Sequence, residues 1–117
     1  MNKFTPGFRS SGKGFHLTFD NGWTLSVQFG YGNYCENYHN ESTISDDNKC
    51  TTCTNAEIAY IDPEGNLDYN PDWSDQVLGY CSPSDVVNHL FTCSRLSYSS
   101  RARPFPGLNN VEDSSDG

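Results

Sequence analysis

The sequence predicts a small α+β fold, an antiparallel sheet of three or four strands with one helix packed across it, and three observations carry that prediction. Residues 15–29 alternate apolar and polar side chains on both sides of Asp20-Asn21-Gly22, the signature of a β-hairpin. Residues 56–62 form a short apolar run that ends in Asp62-Pro63-Glu64-Gly65, a turn with Asp first, Pro second and Gly fourth. Ser82-Pro83-Ser84-Asp85 then opens a helix, with Ser82 as N-cap, Pro83 at the first helical position and Asp85 closing a variant of the capping box.

The register of the hairpin follows from its apolar face. A two-residue Asn21-Gly22 loop would oppose Phe19 and Thr24 and mix the faces. A three-residue loop pairs Phe19 with Trp23, Leu17 with Leu25 and Phe15 with Val27, and places Gly22 in the left-handed conformation of a bulged turn. His16 then shares the opposite face with Thr18, Thr24, Ser26 and Gln28, as a solvated or interface-facing side chain. The strand at 56–62 is apolar enough on both faces to be central, and Leu67 and Tyr69 begin a short fourth strand. The helix, about 83–96, presents Val86, Val87, Leu90, Phe91 and Cys93 to the hairpin and leaves Asn88, His89, Thr92 and Arg95 outward.

A chain of 117 residues has room for one domain. The reading divides it into a flexible N-terminal arm at 1–13, a single α+β domain at 14–97 and a flexible tail at 98–117. Hydrophobic residues make up only 34%, but seven Phe, seven Tyr and two Trp point to a small, aromatic core. One sheet and one helix leave a face uncovered, which admits a homo-oligomer. Residues 30–55 form a long irregular loop; a stretch of that length in a compact domain is functional, disordered or cross-linked by a metal.

Composition narrows the function classes. No run approaches the roughly 18 apolar residues of a membrane helix, and the N-terminus lacks the apolar stretch of a signal peptide, so an intracellular protein away from membranes is expected. Five cysteines, an odd number, fit reduced thiols or a metal site better than a disulfide framework. The net charge is −8, and between Glu36 and Asp85 eleven acids face Lys49 alone. Such a middle disfavours direct nucleic-acid binding and favours basic protein partners or cations.

The candidate chemistry concentrates in the irregular loop. Cys35, His39, Cys50 and Cys53 form a Cys-x3-His and Cys-x2-Cys set of tetrahedral zinc ligands, and zinc is the one cofactor the residues suggest; the alternative is incidental loop and core cysteines. No catalytic residues are assigned. A Cys35–His39 nucleophile and base is opposed by Glu36 and Glu41, which push the thiol pKa the wrong way. Asp62, Glu64, Asn66, Asp68, Asn70 and Asp72 alternate like a calcium loop but lack its glycine at position six, and read as a solvated acidic turn. Tyr31, Asn33, Tyr34, Tyr38 and His39 are the candidate binding residues. The tyrosines could stack on a base or insert into a partner, or equally pack against the hairpin.

The run GFHLTFDNGWTLSVQFGYGNYC, residues 14–35, resembles a group of small uncharacterised proteins encoded by tailed bacteriophages. Those proteins share a hairpin that ends in Ser-Val-Gln-aromatic-Gly-x-Gly-Asn-Tyr-Cys. The resemblance is close over 14–35, looser over the strand at 56–59 and the helix after Ser82, and absent from the Arg-rich tail. It implies a phage product acting in the cytoplasm of the infected bacterial host. Together with the want of a complete catalytic constellation, it leads to a non-catalytic accessory protein that inhibits or modulates a host protein, defence proteins included. Two alternatives stand beside it. One is a small-ligand protein that sequesters a signalling nucleotide at the 30–39 corner, with phosphates met by Arg95, Arg101, Arg103 or the N-terminal basic residues. The other is a zinc-stapled structural module.

Overall fold

The turn at Asp20-Asn21-Gly22 sets the sheet. The computed structural model describes residues 5–43, 52–68 and 76–97. At the turn, the Gly22 N–H donates to Phe19 O (2.9 Å) and the Phe19 N–H to Trp23 O (2.8 Å), with Gly22 at φ +91°. That is the three-residue bulged loop, and the strands leaving it, β2 (Gly14–Thr18) and β3 (Thr24–Gln28), pair Phe15 with Val27 and Leu17 with Leu25.

The sheet has the order β1-β2-β3-β4-β5, every pair antiparallel, with β1 at Gly7–Ser11, β4 at Ala56–Ile61 and β5 at Leu78–Cys81. Strand β4 is central, as the sequence predicts. Strand β1 falls inside the segment expected as a flexible arm. As an edge strand with Phe8, Arg9 and Ser10 exposed, it carries no apolar alternation to betray it. Leu67 makes a single bridge to Ile61, while Tyr69 lies outside the described residues; the strand beside β4 is β5 instead. The tail at 98–117 and residues 1–4 are likewise outside them.

Helix α1 (Pro83–Ser94) lies across β3, β4 and β5. Its capping box is complete: Asp85 N–H donates to Ser82 Oγ (3.1 Å) and Ser82 N–H to Asp85 Oδ2 (3.0 Å). At the other end, the side chain of Asn21 reaches from the hairpin turn and donates to both Cys93 O and Leu96 O (2.9 Å each), while Trp23 Nε1 donates to Ser97 O (2.6 Å). Carbonyls that a helix terminus leaves without partners are thus satisfied by the hairpin on which the helix packs.

The core is Trp23, Leu25, Val27, Ala56, Ile58, Tyr60, Cys81 and Cys93, flanked by Phe15, Phe19, Leu78, Val86 and Leu90. The helix presents Val86, His89, Leu90 and Cys93 inward, and leaves Val87 and Phe91 each 62% exposed. This corrects the expectation that Val87 and Phe91 face in and His89 out. Hydrogen bonding, rather than hydrophobicity, sets the inward face. Tyr60 is fully buried beneath the helix and its hydroxyl needs a partner, which His89 Nδ1 provides at 2.8 Å. Phe91 instead lies under the Arg95 guanidinium, 5.0 Å from the ring centroid.

Two histidines are held below their ordinary pKa. Burial lowers His89, against a smaller opposing pull from Asp85, and burial with the adjacent Arg9 lowers His16. The unfolded chain therefore takes up protons near pH 6.5 that the native chain does not, so stability rises with pH across that range and is lost on acidification. The urea midpoint should fall between about pH 7.5 and about pH 5.5, and His89→Gln, which keeps an acceptor for Tyr60, should flatten part of that slope. An unchanged slope in the variant would assign the effect elsewhere.

Candidate tyrosine-rich binding site

Beyond Gln28 the chain leaves the sheet, and its own side chains fold it. Asn33 Oδ1 accepts from Gly30 N–H (2.9 Å), Thr43 Oγ1 accepts from Tyr31 N–H (2.7 Å), and Gly32 N–H donates to Tyr38 O (3.0 Å). A 3-10 turn at Glu41–Thr43 closes the loop. Five further hydrogen bonds tie it to the chain entering and forming β4. Glu57 receives Asn33 Nδ2 (3.3 Å) and Tyr34 N–H (3.2 Å), Asn55 Oδ1 receives Glu36 N–H (2.8 Å), Thr54 Oγ1 donates to Glu36, and Asn37 Nδ2 donates to Thr52 O (2.8 Å). Side-chain amides, hydroxyls and carboxylates thus join residues 30–43 to one another and to the chain around β4.

The loop lies over β5. At Gly79 an added Cβ would sit 2.5 Å from Tyr34 Cβ and 2.9 Å from Tyr34 O, so only glycine admits the approach. Next to it, Tyr80 adopts φ +57°, in the left-handed region that a bulky side chain rarely enters, and its N–H donates to Tyr34 O (2.8 Å).

The result is a corner where aromatic rings meet solvent. Tyr34 and Tyr38 are stacked, with ring centroids 5.7 Å apart and planes inclined by 8°, and His39 meets Tyr38 edge-on at 4.8 Å. Tyr34 is 43% and Tyr80 58% exposed. With Cys35 and Glu36 these residues line a depression of about 360 Å³. Of the predicted binding residues, Tyr34, Tyr38 and His39 come together. Tyr31 is exposed nearby but outside the lining, and Asn33 is spent on Gly30 and Glu57. Tyr80 was missed. It is 46 positions from Tyr34, and only pairing of β5 with β4 brings the two together.

Burial, reinforced by the neighbouring Cys53 thiol, pushes the Cys35 thiol up to about 11, so it is protonated at neutral pH, the reverse of what a nucleophile needs. Of the four residues read as zinc ligands, Cys35 and Cys53 are neighbours, His39 is exposed, and Cys50 lies outside the described residues. Among the described residues no three His, Cys, Asp or Glu side chains group as a metal site. Of the cations a phosphate would need, Arg9 is on β1 bonded to His16, and Arg95 is past the far end of α1. Arg101 and Arg103 are outside the described residues, and the Lys13 stem rests against Gly30.

A second depression, of about 880 Å³, lies on the sheet face away from the helix. Arg9, His16, Thr18, Thr24 and the turn Asp62-Pro63-Glu64-Gly65 line it. Here Arg9 Nη2 meets His16 Nδ1 (2.7 Å), and the Thr18 and Thr24 hydroxyls meet at 2.7 Å. His16, expected solvated or at an interface, is half-buried and bonded to Arg9. Among the described residues no helix is long and apolar enough to cross a membrane. Comparison with protein families, curated proteins and solved structures finds no match to this chain.

Proposed function

We propose that the protein is a non-catalytic binding protein that engages a basic protein partner through the Tyr34–Tyr38–Tyr80 corner. The observation that carries this reading is the exposed tyrosine cluster itself, pre-ordered on a strained backbone, with Glu36 at its rim. Tyrosines held rigid lose little entropy on binding and give large contact areas, and their faces attract lysine and arginine cations. A net charge of −8 adds attraction at longer range. The phage-like motif of residues 26–35 runs into this corner and supports a phage-encoded accessory protein that occupies a host protein, a defence protein among the candidates, in the infected cell. The test is capture of a partner from host lysate by the tagged chain, followed by affinity measured against ionic strength. Binding should weaken steeply between about 50 mM and about 500 mM salt, because screening shortens the reach of the acidic surface. Affinity that does not change with salt would remove the electrostatic part of the proposal.

A further inference from the structure

The alternating acidic segment after β4 is solvated at Glu64 and Asn66, as its sequence suggests, but Asp62 is 2% exposed and Asp68 1%, while Asn70 and Asp72 lie outside the described residues. The backbone places Asp62 and Asp68 as neighbours. Asp62 N–H donates to Asn66 O (2.8 Å), Asp68 N–H donates to Tyr60 O (2.9 Å), and Ile61 opposes Leu67 between them. Asp62 therefore opposes Asn66 and Asp68 opposes Tyr60, which sets the two aspartates diagonally on one face of a short antiparallel ladder, a relation of about 7–8 Å between Cα atoms. Asp62 Oδ1 accepts from the Glu64 and Asn66 N–H groups (2.9 and 3.0 Å) and holds the turn. Its second oxygen, Oδ2, is buried and has no hydrogen-bond partner. An unmatched carboxylate oxygen out of water is costly, and a cation bound at Asp62 Oδ2 removes that cost.

We propose that Asp62 and Asp68 bind a calcium ion at the turn following β4. Neighbouring carboxylate oxygens, without thiolate or imidazole, select a hard cation. Calcium fits better than magnesium because it accepts irregular oxygen shells and gives up water readily, whereas magnesium keeps its waters in a near-octahedral shell that two almost fully buried carboxylates would have to strip. Both aspartates share the Tyr60 side of the ladder, and Asp62, at its end, also borders the depression beside the turn 62–65. Two carboxylates fall short of a dedicated calcium loop, so binding belongs at the weak end, with Kd of about 10⁻⁴–10⁻³ M.

The test uses the full chain, treated with chelator and dialysed, then melted in calcium chloride up to about 10 mM, with magnesium chloride and sodium chloride at matched ionic strength. The unfolding temperature should rise saturably, by about 5 °C or more, in calcium and by less in magnesium. Asp62→Asn keeps an oxygen for the two turn N–H groups and should abolish the response. Terbium supplies a second readout. Trp23 lies one ladder step beyond the Thr24–Ile61 pair, at the Asp62 end of β4, and should sensitise terbium emission that calcium displaces. If Asp62→Asn does not fold, calcium displacement of terbium from the wild-type chain decides. No calcium-dependent shift together with no displaceable emission overturns the site. A variant that still responds overturns the assignment to Asp62, and equal responses to the two cations overturn the choice of calcium.

Discussion

Tyr80→Gly should leave the fold about as stable as the wild type while lowering partner affinity roughly 30-fold or more. The two effects have separate origins. Tyr80 sits at φ +57°, where a side chain costs roughly 1–2 kcal/mol that glycine does not pay. Glycine gives back about 0.5–1 kcal/mol in backbone entropy. The net change in stability is therefore within about 1 kcal/mol, and a stabilised variant would be unsurprising. The ring, 58% exposed, contributes little to the core, so its loss is felt in binding, where a central tyrosine typically contributes about 2 kcal/mol or more. Tyr34→Ala should lower affinity similarly by breaking the stack with Tyr38. Phe91→Ser, on the exposed face of α1, is the control. If it abolishes binding while Tyr80→Gly does not, the interface is the helix and the proposed corner is wrong.

The strain at Tyr80 also explains why part of this site was invisible in the sequence. Strands β2, β3 and β4 could be read because burial on at least one face imposes a pattern, and the turn could be read because only one loop length puts Phe19, Leu17 and Phe15 opposite Trp23, Leu25 and Val27. Strand β5 has four residues, one a glycine and one in a left-handed conformation; Leu78 and Cys81 reach the core while Gly79 and Tyr80 meet the loop. Nothing in Leu78-Gly79-Tyr80-Cys81 announces that. The helix is legible from its caps, but its orientation is not, because hydrophobicity favours Phe91 inward while the buried hydroxyl of Tyr60 favours His89. A pattern of apolar residues cannot register a hydrogen bond to a residue 29 positions away. The same limit hid the burial of Asp62 and Asp68, whose spacing looks equally natural on a solvated turn.

The loop was legible as an anomaly but not as a structure, and Asn37 is the residue that tests how it is held. Asn37 is 7% exposed; its amide nitrogen donates to Phe29 O and to Thr52 O, both at 2.8 Å, and its oxygen accepts from Asn40 Nδ2 at 3.2 Å. One side chain thus joins the exit from β3, the approach to β4 and the turn that closes the loop. Asn37→Ala leaves two carbonyls without that partner and should destabilise the protein by about 2–4 kcal/mol, given a cost of roughly 1–3 kcal/mol for each buried group left unsatisfied and incomplete additivity. For a domain of this size the unfolding temperature should drop by about 10–20 °C. The damage should be uneven. Amide protection at Gly32 and Tyr38, whose hydrogen bonds lie within the loop, should be lost first, while Trp23, fully buried and bonded to Ser97, keeps its native fluorescence below the transition. Partner binding should fall with loop protection although Asn37 does not line the depression. A loss below about 0.5 kcal/mol would mean that the side-chain lattice does not order the loop, and a cross-link through Cys35 and Cys53 would become the better account of it.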